Sequence, residues 1–131
     1  DRLRSRGLGD VYKRQNGELT YRPYAPRSYA YLADTNYSAK AARLVAGVDL
    51  LYHEATYADA ERRIARERGH STALQAAKAA VAARAGRLVI GHYSARYRDE
   101  GVLVEEARTC FPETFPAVEG ETFTIEKRRE P

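Results

Sequence analysis

Short apolar runs that alternate with stretches of helical periodicity constrain this chain more than any other feature. Ser28-Tyr29-Ala30-Tyr31-Leu32 reads as a strand, after Pro23 and Pro26 keep the preceding stretch extended. Val48-Asp49-Leu50-Leu51-Tyr52 reads as a buried strand, and Arg87-Leu88-Val89-Ile90-Gly91, bounded by glycines, as a central one. Between the first two, Ser38 caps a short helix carrying Ala41, Leu44 and Val45, with Gly47 as its stop. A charged helix from Ala58 to Arg68 stops at Gly69. Ser71 or Thr72 caps a further helix whose Leu74, Ala77 and Val81 recur at i, i+3 and i+7, opposite an alanine-rich side, and Gly86 ends it. A helix from Val102 to Cys110 and a strand from Thr122 to Glu126 complete the order. Strands alternating with helices in this way predict an α/β layer structure, with helices packed on a sheet.

A length of 131 residues suits one domain, and 44% hydrophobic against 31% charged residues is the balance of a chain that folds in water. No apolar run approaches the roughly 20 residues of a membrane span, and no secretory h-region opens the chain, so we expect a cytoplasmic protein without membrane contact. Cys110 is the single cysteine, which precludes an internal disulfide. The net charge of +4 fits a polyanionic partner. Most of that surplus lies in residues 1–15, where Arg2, Arg4, Arg6, Lys13 and Arg14 stand against Asp1 and Asp10. This segment, DRLRSRGLGDVYKRQ, shows no periodicity and resembles a translated sequencing adapter at a broken reading frame. It is expected to be a non-native or disordered arm without function, ahead of one domain over residues 16–131.

All three histidines, with Asp34 and Glu54, fall at strand ends or helix starts, where α/β sheets collect ligands and catalysts. Each has a plainer reading. Asp34 is either a turn or capping carboxylate or a ligand. His92, in Gly91-His92-Tyr93-Ser94, is either a satisfied strand-end histidine or a metal ligand through a neutral imidazole. His53-Glu54 is an orienting pair or a polar strand cap. His70 precedes a helix whose N-terminus, with Ser71 and Thr72, offers donors to a phosphate or simply caps the helix. Arg96 is a bidentate phosphate clamp or a solvated arginine.

Taken together, Tyr31-Leu32-Ala33-Asp34-Thr35, His53-Glu54-Ala55-Thr56, Gly69-His70-Ser71-Thr72 and Gly91-His92-Tyr93-Ser94-Ala95-Arg96-Tyr97 resemble the C-terminal half of the ribonuclease Z family. These are tRNA 3′-processing endonucleases of the metallo-β-lactamase superfamily, and the resemblance spans about residues 28–126. It implies an αββα sandwich of which this chain is the C-terminal half, two zinc ions per complete subunit, a homodimer, and removal of 3′ trailers from precursor tRNA. By position, Asp34 looks like the carboxylate that bridges the two metals and His92 like a terminal ligand. His70 would protonate the leaving oxygen, with Glu54 orienting its imidazole, while Ser94 and Arg96, beside Ser71 and Thr72, would hold the phosphate.

The chain departs from the family at Ala33, where glycine is common before the bridging aspartate; a negative φ there makes the change tolerable. The HxHxDH signature that supplies most of the metal ligands is absent from the chain. The expectation is therefore a fragment, inactive alone and poor at binding zinc. The alternatives are another phosphodiesterase or hydrolase of the same superfamily, and a non-catalytic RNA-binding or dimerisation module.

Overall fold

The computed structural model describes residues 12–15 and 18–130. The chain divides into two units, residues 1–27 with 124–131 and residues 28–123. In the first, β1 (Tyr12–Gln15) pairs antiparallel with β2 (Glu18–Tyr21), with Tyr12 beside Tyr21 and Gln15 beside Glu18. Strand pairing thus reaches into the stretch expected to be an arm, while residues 1–11 lie outside the described residues. Ala25 N–H donates to the Arg128 carbonyl and the Arg129 guanidinium lies 3.4 Å over the Tyr24 ring, so residues 124–130 tie back to this unit.

The second unit holds β3 (Tyr29–Leu32), α1 (Ala39–Leu44), β4 (Leu50–Glu54), a 3-10 turn (Asp59–Glu61), α2 (Arg62–Arg68), α3 (Ala73–Ala83), β5 (Arg87–Gly91), α4 (Gly101–Arg108) and β6 (Thr114–Pro116). The strands form one sheet in the order β3-β4-β5-β6, every neighbouring pair parallel. The register sets Leu32 beside His53, His53 beside Ile90 and Glu54 beside Gly91, which brings the carboxyl ends of three strands level. Side chains alternate across the sheet. Ala30, Leu51, Leu88 and Ile90 point to the helices and form the core with Ala73, Ala76, Ala77, Ala80 and Leu103. Tyr29 and Tyr31 point the other way and are 57% and 61% exposed; Tyr31 stacks on Tyr52 with ring centroids 4.5 Å apart.

Several sequence expectations are corrected. The final strand is Thr114–Pro116, not Thr122–Glu126, which has no regular pairing; Thr114-Phe115-Pro116 is short and ends in proline, a residue admitted at sheet edges because it forgoes a ladder donor. The α3 face that packs is the alanine-rich one, whereas Val81 is 51% exposed. Small side chains let α3 lie close to the sheet, which leaves the larger ones outside. Leu44 of α1 is exposed as well, and Ala42 is the buried residue of that helix. Finally, α3 ends at Arg84 in a left-handed conformation rather than at Gly86.

Candidate metal centre

The ends of β3, β4 and β5 open into three loops, and the helix start after Gly69 supplies a fourth segment. One ligand atom from each of Asp34, Glu54, His70 and His92 lies within 4.8 Å of the others. The three strand-end residues converge because the parallel register aligns their strands. His70 arrives through the backbone: Tyr57 N–H donates to the Ser71 carbonyl and Ala73 N–H to that of Tyr57, at 3.4 and 2.9 Å, so residues 55–58 and 70–73 run as a joined pair. Gly69, left-handed at φ 77, turns the chain out of α2 to allow it.

Glu54 is fully buried and its two oxygens accept from Thr35 N–H (2.9 Å), Thr56 N–H (3.3 Å), Thr56 Oγ1 (2.6 Å), His70 Nδ1 (2.7 Å) and Ser71 N–H (3.1 Å). Burial alone would push the carboxyl up. The hydrogen bonds from Thr56, His70, Ser71 and Thr35 outweigh it and hold Glu54 below the ordinary carboxylate range, so it is ionised and can only accept. Two proton assignments follow. His70 donates through Nδ1, which leaves Nε2 as its reactive nitrogen. The single hydrogen of Thr56 Oγ1 goes to Glu54, so at its 2.9 Å contact with His92 Nδ1 the hydroxyl accepts and the imidazole donates. In neutral His92 the Nε2 lone pair is then bare, and it lies 3.6 Å from Asp34 Oδ1.

That donor pair fits a divalent cation. A tetrahedral zinc with nitrogen and oxygen ligands at about 2.0–2.2 Å spaces donors roughly 3.4 Å apart, and an imidazole with a carboxylate is a common zinc set. Asp34 and His92 are half or more exposed and both sit at positive φ, 49 and 63, a region costly outside glycine but visited by Asp and His. Ala33 is not among the positive-φ residues, so the Gly-to-Ala departure carries no backbone strain. Glu54, saturated and buried, has no lone pair facing outward; the donors that remain, Asp34, His92 and Nε2 of His70, are too few to close the shell of a two-metal centre.

The other expected residues separate into two groups. Ser71 and Thr72 are fully buried and spent on structure: Ser71 Oγ donates to the Thr35 carbonyl, and Thr72 forms a capping box with Gln75 at the start of α3. Both hydroxyls are closed off from solvent. Ser94 N–H donates to the Thr56 carbonyl at 3.0 Å, and Arg96 sits 5.2 Å over the Tyr57 ring and 3.9 Å from Glu61. His53 points into the core; burial lowers its pKa against the opposing pull of Glu54, so it stays neutral and takes no part in the cluster. The sequence reading gave Thr56 no role although it lies in a quoted motif. Its place two residues after Glu54, past a strand end, was the available signal.

A family model described as a beta-lactamase superfamily domain matches residues 17–93. The chain is similar to a ribonuclease Z of Bacteroides thetaiotaomicron, 50% identical over 111 residues that cover 84% of this chain and 35% of that protein. A ribonuclease Z of Parabacteroides distasonis is 47% identical over 110 residues, with coverage of 84% and 36%. Among solved structures, human tRNase Z, short form, aligns with a TM-score of 0.52 and 36% identity, covering 66% of this chain and 28% of that one. The metallo-beta-lactamase fold protein YhfI from Bacillus subtilis aligns with a TM-score of 0.63 and 24% identity, over 76% of this chain and 41% of its own. The chain spans about a third of the length of the curated relatives it matches.

Proposed function

The chain belongs to the beta-lactamase superfamily and carries part of a metallo-β-lactamase fold, and on that premise we propose that it is the C-terminal portion of a zinc-dependent endoribonuclease that removes 3′ trailers from precursor tRNA. The observation that carries this reading is the meeting of two chemically different pairs at one end of the sheet: the donors Asp34 and His92, and the buried Glu54 with His70. Identity of 47–50% to ribonuclease Z proteins supports the substrate.

When bound, two zinc ions supply Lewis-acid activation of the phosphodiester. Asp34 and His92 would be among their ligands, and the complete shell needs residues outside this chain. His70, held through Nδ1 by Glu54, would act with a second proton on Nε2: as water adds to phosphorus and the bond to the leaving oxygen breaks, that Nε2 proton passes to the leaving oxygen and the imidazole is left neutral. Ser94 and Arg96, from the loop that follows His92, would orient the phosphate. The reading includes a cytoplasmic homodimer, and a chain that alone binds zinc weakly and does not turn over. Ser71 and Thr72 build the loop that presents His70 rather than touching the substrate.

The test uses the protein with its upstream portion restored. His70→Ala should lower turnover of precursor tRNA about 10²–10⁴-fold while bound zinc, measured by metal analysis, stays constant. His92→Ala should lose zinc. Equal zinc loss in both variants would refute the roles, and turnover of small phosphodiesters without tRNA cleavage would move the assignment to another phosphodiesterase of the superfamily. A non-catalytic RNA-binding or dimerising module is the reading favoured if the chain acts as it stands, because it offers too few donors for a metal shell.

A further inference from the structure

A cleft of about 550 Å³ opens beside His70, and its lining is charged in one sense only. The guanidinium-bearing residues Arg62, Arg63 and Arg66 of α2 form one wall, Asn36 and Tyr37 from the loop after β3 contribute the other, and no carboxylate lines it. The acids of the same stretch are directed elsewhere or held loosely. Glu61 accepts from Tyr97 Oη at 2.9 Å and neighbours Arg96. Asp59 and Glu67 contact Arg62 and Arg63 at 3.3 and 3.4 Å, but those arginine side chains are 70% and 91% exposed. Ion pairs that exposed are worth little and yield readily to a polyanion.

We propose that this cleft is a binding track for single-stranded RNA next to the phosphate held at His70. Residues 62, 63 and 66 fall on one helix face and span about 6 Å of its axis, a row of bidentate donors suited to phosphate. Tyr37, on the opposite wall and 36% exposed, offers a ring on which a base stacks. Cations on one side and an aromatic ring on the other are what an unpaired strand requires, since its backbone and bases face different ways. The inference rests on the nuclease reading and extends it to the strand flanking the cleaved bond.

The test measures binding of a fluorescein-labelled 12-nucleotide single-stranded RNA to the 131-residue chain by anisotropy, in EDTA so that metal and turnover play no part. Arg62→Gln, Arg63→Gln and Arg66→Gln together should weaken binding at least tenfold and reduce the slope of log affinity against log salt by about 2, at roughly 0.7 per phosphate contact. Tyr37→Ala should weaken it at least fivefold with the slope unchanged. RNA carrying 4-thiouridine should cross-link to residues 36–37 or 62–66 of the unmodified chain, a readout independent of any variant's folding. Absence of RNA binding, unchanged affinity and slope in the triple variant, cross-links only elsewhere, or equal displacement by an acidic peptide would each overturn the track. Because no metal is present, such a failure is distinct from a failure of the zinc and turnover test.

Discussion

Glu54 orders both histidines of the site, His70 directly and His92 through the Thr56 hydroxyl. Thr56→Val, which keeps the shape and removes the relay, should therefore release His92 Nδ1. Metal affinity should fall about 10–100-fold, as is usual when a ligand histidine loses its partner. Nitrogen NMR of the metal-free chain should show His92 shifting from the Nδ1–H tautomer, and Thr56→Ser should restore both. A His92 spectrum that ignores the substitution would end this account. Titration works through the same residues. Neutral His53 has its pKa below the ordinary 6.5, so the unfolded chain binds the proton more readily and stability is lost as pH falls through 6.5. Ionised Glu54, held below 4.5, contributes stability above that value and loses it as pH falls through its folded-state pKa. The melting temperature should thus decline from about pH 6.5 downward, with a further drop below 4.5 that Glu54→Gln flattens. Calorimetry showing a constant melting temperature between pH 7 and pH 4 would contradict both shifts.

Among the elements, α3 shows where side-chain chemistry is legible and where packing overrides it. Its start was legible as a cap at Ser71 or Thr72, of which Thr72 takes the role and Gln75 completes a capping box, and β5 coincides with its apolar run Arg87–Gly91. Its buried face was only partly legible: of the spaced residues Leu74, Ala77 and Val81, Ala77 is fully buried and Val81 is exposed, because alanines serve equally as helix formers and as close-packing core. At the other end Arg84 takes a left-handed conformation, φ 53, that carries a cost for any residue with a Cβ, and its side chain is exposed. Arg84→Gly should raise stability by about 0.5–1 kcal/mol in chemical denaturation. Gly86 is different. A Cβ there would come within 2.6 Å of the Asp49 carbonyl oxygen, backbone that cannot step aside, so Gly86→Ala should destabilise by at least about 1 kcal/mol even though φ is ordinary. A neutral result would mean that β4 and β5 separate more easily than their register suggests. In the site, four motif residues were legible from resemblance, whereas the spent hydroxyls of Ser71 and Thr72 were not, since a donor in sequence does not show what already occupies it.

Across the whole chain, the parallel sheet of residues 28–123 has helices on one face and exposed tyrosines on the other. Parallel sheets are ordinarily covered on both faces, and the chain spans about a third of each relative's length. Restoring the upstream portion should protect Tyr29 and Tyr31 from chemical iodination and raise the melting temperature; full reactivity of both in the longer protein would contradict that view. The joined loops at residues 55–58 and 70–73 divide the labour of the centre in time as well as in space. Held by main-chain bonds and a saturated carboxylate, the half that carries His70 is fixed as soon as the polypeptide folds. Asp34 and His92, both half or more exposed, form the half that the proposed function leaves for a cation to tie down, so metal should stiffen one side of the cluster and leave the other as it was.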